Sequence, residues 1–248
     1  MTYPRATRPH LPTRVRSVRD VTATMRQIDL VGPDVPRLRF RPGAHLVVLV
    51  PAGDGKARRV YSVWHHDGRS SSLSLRIALH AAGGPGCAWA RAVAPDDRVT
   101  IEAPRSKITL DESAGFHLFA GDETGAVPLL AMRAALHRSV ARGAPARPVL
   151  GVFEAPGPDD EMPGADGVAP LPWVHRGRSS AVASRVLLRA VRDLELPAGV
   201  GAAYLAGESG TCQLLRRHLV EQRGFTRRAV HIQPQWAPGR PGFGAGGD

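Results

Sequence analysis

The chain has little cysteine and no long apolar run, and each absence excludes a class of protein. Among its 248 residues, Cys87 and Cys212 are the only cysteines, which cannot supply a four-thiolate iron–sulfur cluster or a structural zinc site. HExxH patterns, EF-hand loops and close His/Cys clusters are also missing, so we predict no bound metal. No stretch approaches the roughly 18 to 20 consecutive apolar residues that a transmembrane helix needs.

The amino terminus lacks the features of a secretory signal. Residues 1–20 are basic but contain no apolar segment and no small-residue cleavage site. We therefore expect a cytoplasmic protein with no integral membrane association.

Aromatic residues are few, at 5% of the chain, whereas the formal net charge is +11. The positive charge is nearly all arginine and is scattered, without a dense basic run or a strand of interleaved aromatic residues that would stack bases. Nucleic-acid binding is therefore not expected. The charge either attracts an anionic small molecule or reflects a bias toward Arg, Ala, Gly and Pro.

Residues 1–112 are predicted to form one domain of short strands. Six segments are β-branched or alternating, and turn residues separate them: 13–18, 25–30, 45–50, 59–65, 73–78 and 98–102. Such a series favours a small antiparallel barrel. One helix, at residues 87–94, follows the glycine-rich AAGGPG.

Residues 113–236 show alternating strands and helices instead. FHLFAG, RPVLGVFEA, AAYLAGE and RAVHIQ are predicted strands, and helices are predicted in VPLLAMRAALHRSVA, SSAVASRVLLRAVRDL and SGTCQLLRRHLVEQRG. DETGA would be a loop, with Pro128 in the first turn of the helix after it. The alternation predicts a parallel sheet flanked by helices, and the Gly/Pro-rich residues 237–248 are predicted to be a flexible tail.

The heptapeptide RRVYSVW, residues 58–64, is a candidate ligand-binding strand. Arg59 and Tyr61 would share one side of the strand and Ser62 would point to the other. A flat flavin ring could lie against Tyr61, with Ser62 at its redox-active edge and Arg59 on a pyrophosphate. An ordinary strand with a packed tyrosine would have the same seven residues, so this stretch alone leaves both interpretations open.

Three loops are candidates for phosphate binding at the start of a helix. The glycine-rich turn after His80 leads into the helix at 87–94, whose start could receive the same pyrophosphate as Arg59. AGDETGA and AGESGT would lie at the carboxyl ends of sheet strands, where ligands of α/β sheets bind. Both contain acidic residues and neither matches GxGxxG or a P-loop. A cleft between barrel and sheet is the expected ligand site.

Taken together, these segments resemble the siderophore-interacting proteins, a branch of the ferredoxin–NADP reductase superfamily. The resemblance rests on RVYSV, LHAAGGPGCAWARAVAPDDRVTIEAPRS, HLFAGDETGAVPLL and YLAGESGTCQLLRRHL, in the family's order, between about residues 13 and 236. It implies a six-stranded FAD-binding barrel and a C-terminal NAD(P)H-binding-type sheet. Members of the family reduce ferric siderophores, so the implied function is FAD-dependent ferric-siderophore reduction with NAD(P)H or reduced ferredoxin as donor.

The resemblance also implies roles for individual residues. Arg59 would contact the FAD phosphates, Tyr61 would stack on the flavin and Ser62 would bond its N5 edge. From the second domain, Asp122, Glu123 and Thr124 would face the flavin. The other residues predicted to contact FAD are Val60, His80, Gly84, Pro85, Gly86, Cys87, Ala88 and Trp89. No side chain is predicted to be catalytic, because the flavin would carry the electrons.

Three positions depart from the family pattern. Trp64 stands where a second arginine is frequent, and Cys87 stands where serine is usual. QWAPG replaces the C-terminal YWR-x-G, keeping Trp236 and Gly239 but losing the basic residue thought to receive an anionic ferric chelate. The candidate substrate contacts are Arg105, Lys107 and Trp236.

Two other functions remain open from the sequence. The altered C-terminal segment would also suit a flavoenzyme recruited to a natural-product biosynthetic pathway, acting on an organic substrate. A protein that has lost flavin and binds a small ligand between the domains is the non-enzymatic alternative. Purification without flavin would favour the latter and would revive nucleic-acid binding. A monomer and a homodimer are both compatible with the sequence.

Overall fold

The computed structural model describes residues 9–80 and 83–240, and its first part is a closed antiparallel barrel. The strands run in the order β1-β2-β5-β4-β3-β6 around the barrel. Their bounds are β1 (His10–Thr22), β2 (Met25–Val31), β3 (His45–Ala52), β4 (Gly55–Asp67), β5 (Ser72–Ala78) and β6 (Arg98–Glu102). The six-stranded barrel is confirmed.

The barrel is filled by the apolar residues that alternate along its strands. Ile28, Leu30, Val48 and Leu75 are buried in one cluster, as the period of two along a strand requires. Helix α1 (Pro85–Ala92) packs Ala90 against the same cluster and lies beside β3, β4 and β5. The short helix predicted in this region is thus present, two residues earlier than expected.

The second part is a five-stranded parallel sheet with the order β11-β10-β7-β8-β9. Its strands are β7 (Phe116–Asp122), β8 (Val149–Ala155), β9 (Trp173–His175), β10 (Gly201–Glu208) and β11 (Val230–Trp236), and its helices are α2 (Glu123–Ala141), α3 (Arg185–Arg192) and α4 (Ser209–Gln222). The predicted parallel sheet flanked by helices is confirmed. Strand β9 was not predicted, since three residues carry no periodic signal.

In the second part, the starts of two helices differ from the sequence prediction. Helix α2 begins at Glu123, so DETGA is not a loop and Pro128 lies inside the helix. The start moves because the Asp122 side chain caps the helix by accepting from the N–H groups of Thr124 and Gly125. Helix α3 is shorter than predicted, because Ala183 has a left-handed backbone (φ 48°) and Ser184 caps the helix.

The barrel and the sheet share one packed cluster of side chains. Met25 of the barrel and Ile108, which follows it, are buried together with Phe119, Leu129 and Met132 of the second part. The Thr24 hydroxyl also donates to the Asp160 carboxylate at 2.6 Å. The predicted boundary at 112/113 falls between β6 and β7 and stays a prediction, as does the tail, whose residues 241–248 lie outside the described part. None of the helices in the described ranges is long and apolar enough to cross a membrane.

Candidate functional site

A cleft of about 640 Å³ lies between the barrel and the sheet. Its barrel side is formed by β4, β5 and the start of α1, and its sheet side by the first turns of α2 and the end of β11. The residues predicted to contact a ligand that do line this cleft are Arg59, Val60, Tyr61, Ser62, His80, Gly84, Pro85, Gly86, Cys87, Thr124 and Trp236. Segments far apart in sequence therefore converge on one site.

The other predicted residues do not line the cleft. Trp89 stacks against Tyr61 at a ring-centroid distance of 6.0 Å and so supports the cleft wall. Ala88 is exposed on α1. Arg105 and Lys107 are exposed beyond β6, and the backbone of Arg105 is paired with His45. Asp122 and Glu123 are buried at the end of β7 and engage protein groups instead of the cleft.

Tyr61 is held in place by a close approach of α1. A Cβ atom added at Gly86 would lie 2.4 Å from the Tyr61 hydroxyl and 3.3 Å from Cγ of Arg59, so only glycine fits there. Burial raises the pKa of Tyr61, with a smaller contribution from Cys87, so its phenol is neutral at physiological pH. Tyr61 therefore offers the cleft a neutral aromatic surface rather than an acid or a base.

Two buried polar atoms at this cleft have no hydrogen-bond partner in the part of the chain that the structure describes. The hydroxyl of Ser62 and the side-chain nitrogen of Gln235 are both buried without a hydrogen bond, and both residues line the cleft. Leaving such groups unpaired costs free energy. Their positions thus favour a ligand that supplies the missing partners.

Helix α1 opens into the cleft without a side-chain cap. Its N-cap is Gly84, whose absent side chain cannot accept from the first turn, and Pro85 follows at the first helical position. An uncapped helix start with positive partial charge suits a phosphate group. Arg59, half-buried beside it, adds a guanidinium that donates a hydrogen bond to the Arg58 carbonyl.

The helices of the sheet contrast with α1, because acidic side chains occupy their starts. Asp122 caps α2 and Glu208 caps α4, each accepting two backbone N–H groups of the first turn. At α3, Ser184 accepts the N–H of Leu187, which Glu154 also accepts at 3.1 Å. None of these three helix starts is left open for an anion.

Asp122 joins three separate parts of the second domain. One carboxylate oxygen accepts from the Thr124 hydroxyl and from the N–H groups of Thr124 and Gly125 at 2.6 to 2.9 Å. The other accepts from the Glu208 N–H at 2.8 Å and from the Trp236 indole N–H at 2.9 Å. This second contact holds Trp236 in the cleft, where its ring lies 6.4 Å from that of His80.

Glu123 is paired with an arginine from beyond β9. Arg176 donates to both of its carboxylate oxygens at 2.7 and 2.8 Å and lies 3.5 Å from Glu154. Burial raises the pKa of Glu154 above its usual value, although the hydrogen bond from Ser184 opposes that shift. Glu123 therefore anchors the β8–β9 side of the domain and does not contribute a free carboxylate to the cleft.

Several residues of the cleft were missed by the sequence analysis. Arg76 on β5 is buried, and its guanidinium lies 3.5 Å from the ring centre of Trp64 while donating to the Pro163 carbonyl at 2.6 Å. Burial lowers the pKa of Arg76 to about 9, which leaves it protonated at pH 7. A charged residue in the apolar strand SLSLRIA was the available signal. The others are Ile77, Ala78, Gly83, Val127, Gln235, Ala237 and Arg240.

The charged side chains that line the cleft are positive. Arg59, Arg76 and Arg240 line it, and no aspartate or glutamate does so among the described residues. The described ranges also contain no group of three His, Cys, Asp or Glu side chains arranged to hold a metal ion. The cleft thus combines positive charge with an aromatic wall.

Comparison with known proteins identifies the family. The family model described as siderophore-interacting protein matches residues 114–239, and the siderophore-interacting FAD-binding domain matches residues 45–108. The ferric vibriobactin reductase ViuB of Vibrio cholerae is 26% identical over 184 residues, which cover 73% of this chain and 65% of that protein. The chain therefore spans just under two thirds of the length of this curated relative.

Solved structures agree with the sequence matches. A siderophore utilization protein from T. fusca has a TM-score of 0.77 with 26% identity and 95% coverage of each chain. The siderophore-interacting protein SipS from Aeromonas hydrophila has a TM-score of 0.77 with 21% identity and 94% coverage of each chain, a likeness of fold. With its barrel, its parallel sheet and both matched segments, this chain belongs to the siderophore-interacting protein family.

Proposed function

We propose that this chain is an FAD-dependent oxidoreductase that reduces a ferric siderophore and so releases iron(II). The observation that carries the proposal is the cleft lined by Arg59, Arg76 and Arg240 without an acidic side chain among the described residues. Such a positively charged site attracts an anionic chelate, because the electrostatic free energy of the chelate is lower near the arginines than in solvent. The name of the curated relative, ferric vibriobactin reductase, supports this substrate class.

The residues of the cleft fit FAD. The unpaired hydroxyl of Ser62 and amide of Gln235 would hydrogen-bond a flavin ring that lies against Tyr61. The uncapped start of α1 and the guanidinium of Arg59 would hold the pyrophosphate. When bound, FAD would supply the redox chemistry by which single electrons reach iron(III). The protein's part is to bind, orient and shield, and Trp236 closes the sheet side of the cleft.

The substrate end of the cleft is formed by the last described residues. Ala237 stands at the basic position of the family pattern, but a turn paired between Ala237 and Arg240 places Arg240 on the lining. Arg240 therefore replaces the missing basic residue from three positions further on. Because it is exposed and forms no ion pair with residues 9–80 or 83–239, it is available to an anionic chelate.

The test is an anaerobic assay on purified protein loaded with FAD. We expect a two-banded flavin absorbance that decreases on reduction and returns as a ferric catecholate is added, while an iron(II)-specific chelator reports the product. Arg240→Gln should raise KM for the chelate about three- to tenfold with little change in kcat, because it removes a charge that contacts only the substrate. Arg227→Gln, an exposed arginine outside the cleft, is the matched control.

The other two outcomes of this assay would each indicate a different function. A yellow protein that is reduced but ignores ferric chelates would move the assignment to a flavoenzyme that acts on an organic substrate. A colourless protein that does not take up added FAD would contradict both and point to a binding protein.

We further propose that a small electron-carrier protein, such as a reduced ferredoxin with an acidic surface, is the electron donor. A pyridine dinucleotide carries a pyrophosphate that a helix start at the carboxyl edge of the sheet would ordinarily hold. Here Asp122, Glu208 and the pair of Ser184 with Glu154 fill those starts. The net charge of +11 favours association with an acidic carrier instead.

The donor is tested by stopped-flow reduction of the FAD-loaded protein. Reduced ferredoxin should reduce the protein faster than equimolar NADPH or NADH, and its rate should fall as NaCl is raised, because salt screens the attraction between the two proteins. Saturable reduction by a nicotinamide cofactor at micromolar concentration would contradict this assignment. The chelate assay with dithionite as donor stays informative in either case.

A further inference from the structure

A second pocket, of about 350 Å³, lies at the opposite edge of the sheet from the cleft. It is bounded by the amino ends of β7 and β8, the second half of α2, the loop after α2 and residues 167–169. It shares no lining residue with the cleft. The proposed reductase activity assigns it no role.

Arg133 is the feature that distinguishes this pocket. The residue is 9% exposed, it lines the pocket, and its Nη1 atom is buried with no hydrogen-bond partner among residues 9–80 and 83–240. No carboxylate within the described ranges forms an ion pair with it. Burial lowers the pKa of Arg133 and no neighbouring charge opposes that shift. A buried guanidinium without a counter-ion is costly, so an anion entering the pocket would be bound favourably.

His117 supplies a second donor. The Tyr204 hydroxyl accepts the N–H of Asp111 at 2.8 Å, so its own proton is available to Nδ1 of His117 at 3.3 Å. Burial lowers the pKa of His117, which keeps the ring neutral. With Nδ1 as acceptor, the neutral ring carries its proton on Nε2. No described group accepts that Nε2–H.

The remaining lining determines which anion fits. His137 and Arg147 add basic groups, and none of the described lining residues is acidic. Most of the wall is apolar, from Leu136, Val140, Pro145, Val149 and Val168. A phosphate dianion would leave this wall without contacts, whereas a carboxylate attached to an apolar body satisfies both halves of the pocket.

We propose that this pocket binds a small monocarboxylate with an apolar body, such as an aryl or short acyl carboxylate. Its carboxylate accepts hydrogen bonds from the Arg133 guanidinium and the His117 Nε2–H, and its apolar body packs against Leu136, Val140 and Val168. The site is separate from the cleft and operates with FAD bound.

The experiment is a fluorine NMR titration of 4-fluorobenzoate with the FAD-loaded protein. We expect saturable binding, with 4-fluorobenzamide, a neutral molecule of nearly the same shape, binding at least about tenfold more weakly. Arg133→Met should weaken benzoate binding at least about tenfold while raising the melting temperature of the ligand-free protein, because it removes an unpaired buried charge. Arg142→Met, at the end of the same helix but outside the pocket, should bind like wild type.

Several results would overturn the proposal. These are no saturable binding of 4-fluorobenzoate up to about 10 mM, equal binding of the amide, unchanged binding by Arg133→Met, or displacement by equimolar inorganic phosphate. Should Arg133→Met fail to fold, Ala146→Trp tests the same pocket from its exposed rim and should block the probe. Arg240→Gln should leave binding unchanged, which separates this site from the cleft.

Discussion

Ser62 and Ser74 are two buried serines on adjacent strands of the barrel that differ in their hydrogen bonds. Ser62 lines the cleft and its buried hydroxyl has no hydrogen-bond partner among the described residues, whereas Ser74 donates to Asp29 at 2.6 Å. Ser62→Ala should leave the unfolding free energy of the FAD-free protein unchanged or slightly higher, because no internal bond is lost. It should weaken FAD binding about three- to tenfold, the worth of one hydrogen bond.

Ser74→Ala is the matched control, with the opposite pattern. It should lower the unfolding free energy by about 1–2 kcal/mol, since a bond to a buried carboxylate is lost, and it should leave FAD affinity unchanged. Denaturant unfolding of the FAD-free protein and titration with FAD measure the two quantities. Destabilisation of the FAD-free protein by Ser62→Ala, with FAD affinity unchanged, would show that Ser62 is structural.

At the scale of elements, the carboxylate cap of α4 makes stability depend on pH. Burial by itself would raise the pKa of Glu208, but hydrogen bonds from the N–H groups of Gly210, Ala183 and Thr211 outweigh it and hold the pKa below its usual value. The cap therefore stabilises the fold above the unfolded-state pKa of about 4.3. This contribution is lost as the pH falls through the lower folded-state value.

Glu208→Gln should accordingly be less stable than wild type by about 1–2 kcal/mol at pH 7, and the difference should shrink on acidification. Urea unfolding from pH 7 to pH 3 measures this difference. Glu195→Gln, at an exposed glutamate without a described partner, should stay close to wild type at every pH. A difference for Glu208→Gln that grew as the pH fell would contradict the assignment.

At the scale of the whole molecule, the barrel and the sheet are expected to unfold together. Gly43 has a left-handed backbone (φ 83°), and a Cβ there would lie 2.9 Å from Sδ of Met132 in the shared cluster. Gly53 is also left-handed (φ 55°), but no atom of the described residues lies within 4 Å of a Cβ added there. Backbone strain should lower the unfolding free energy of both alanine variants by about 1 kcal/mol. Overpacking should lower that of Gly43→Ala by about 1–2 kcal/mol more.

Thermal unfolding followed by tryptophan fluorescence and by far-ultraviolet circular dichroism tests this coupling. The two signals should give one coincident transition for wild type and both variants, because the shared cluster joins the two parts. Separate transitions, or equal losses for the two glycine variants, would show that the interface contributes little to stability.

The order of strands and helices was readable from the sequence because it depends on local periodicity. The alternating apolar residues of the barrel strands and the alternation of strands with helices after Phe116 led to the observed fold. The RVYSV and GGPG segments also led to residues that line the cleft, since each is contiguous and its neighbours in sequence are its neighbours in space. Helix ends could be predicted less precisely. Asp122 and Ser184 cap their helices through side-chain hydrogen bonds that form only in the folded chain.

Only the tertiary structure decided which side chains face the cleft. Asp122 is 114 positions from Trp236, yet its carboxylate accepts the indole N–H and so positions a side chain of the cleft. Arg76 reaches the cleft because the barrel closes, and Arg240 reaches it because the chain turns after β11. No local sequence pattern predicts either feature. The sequence alone determined the two-part architecture, because local periodicity encodes strands and helices, and its contiguous motifs carried the resemblance that implies a flavin. The charge and shape of the cleft and the Arg133 pocket were decided by contacts between distant segments, which exist only in the folded chain.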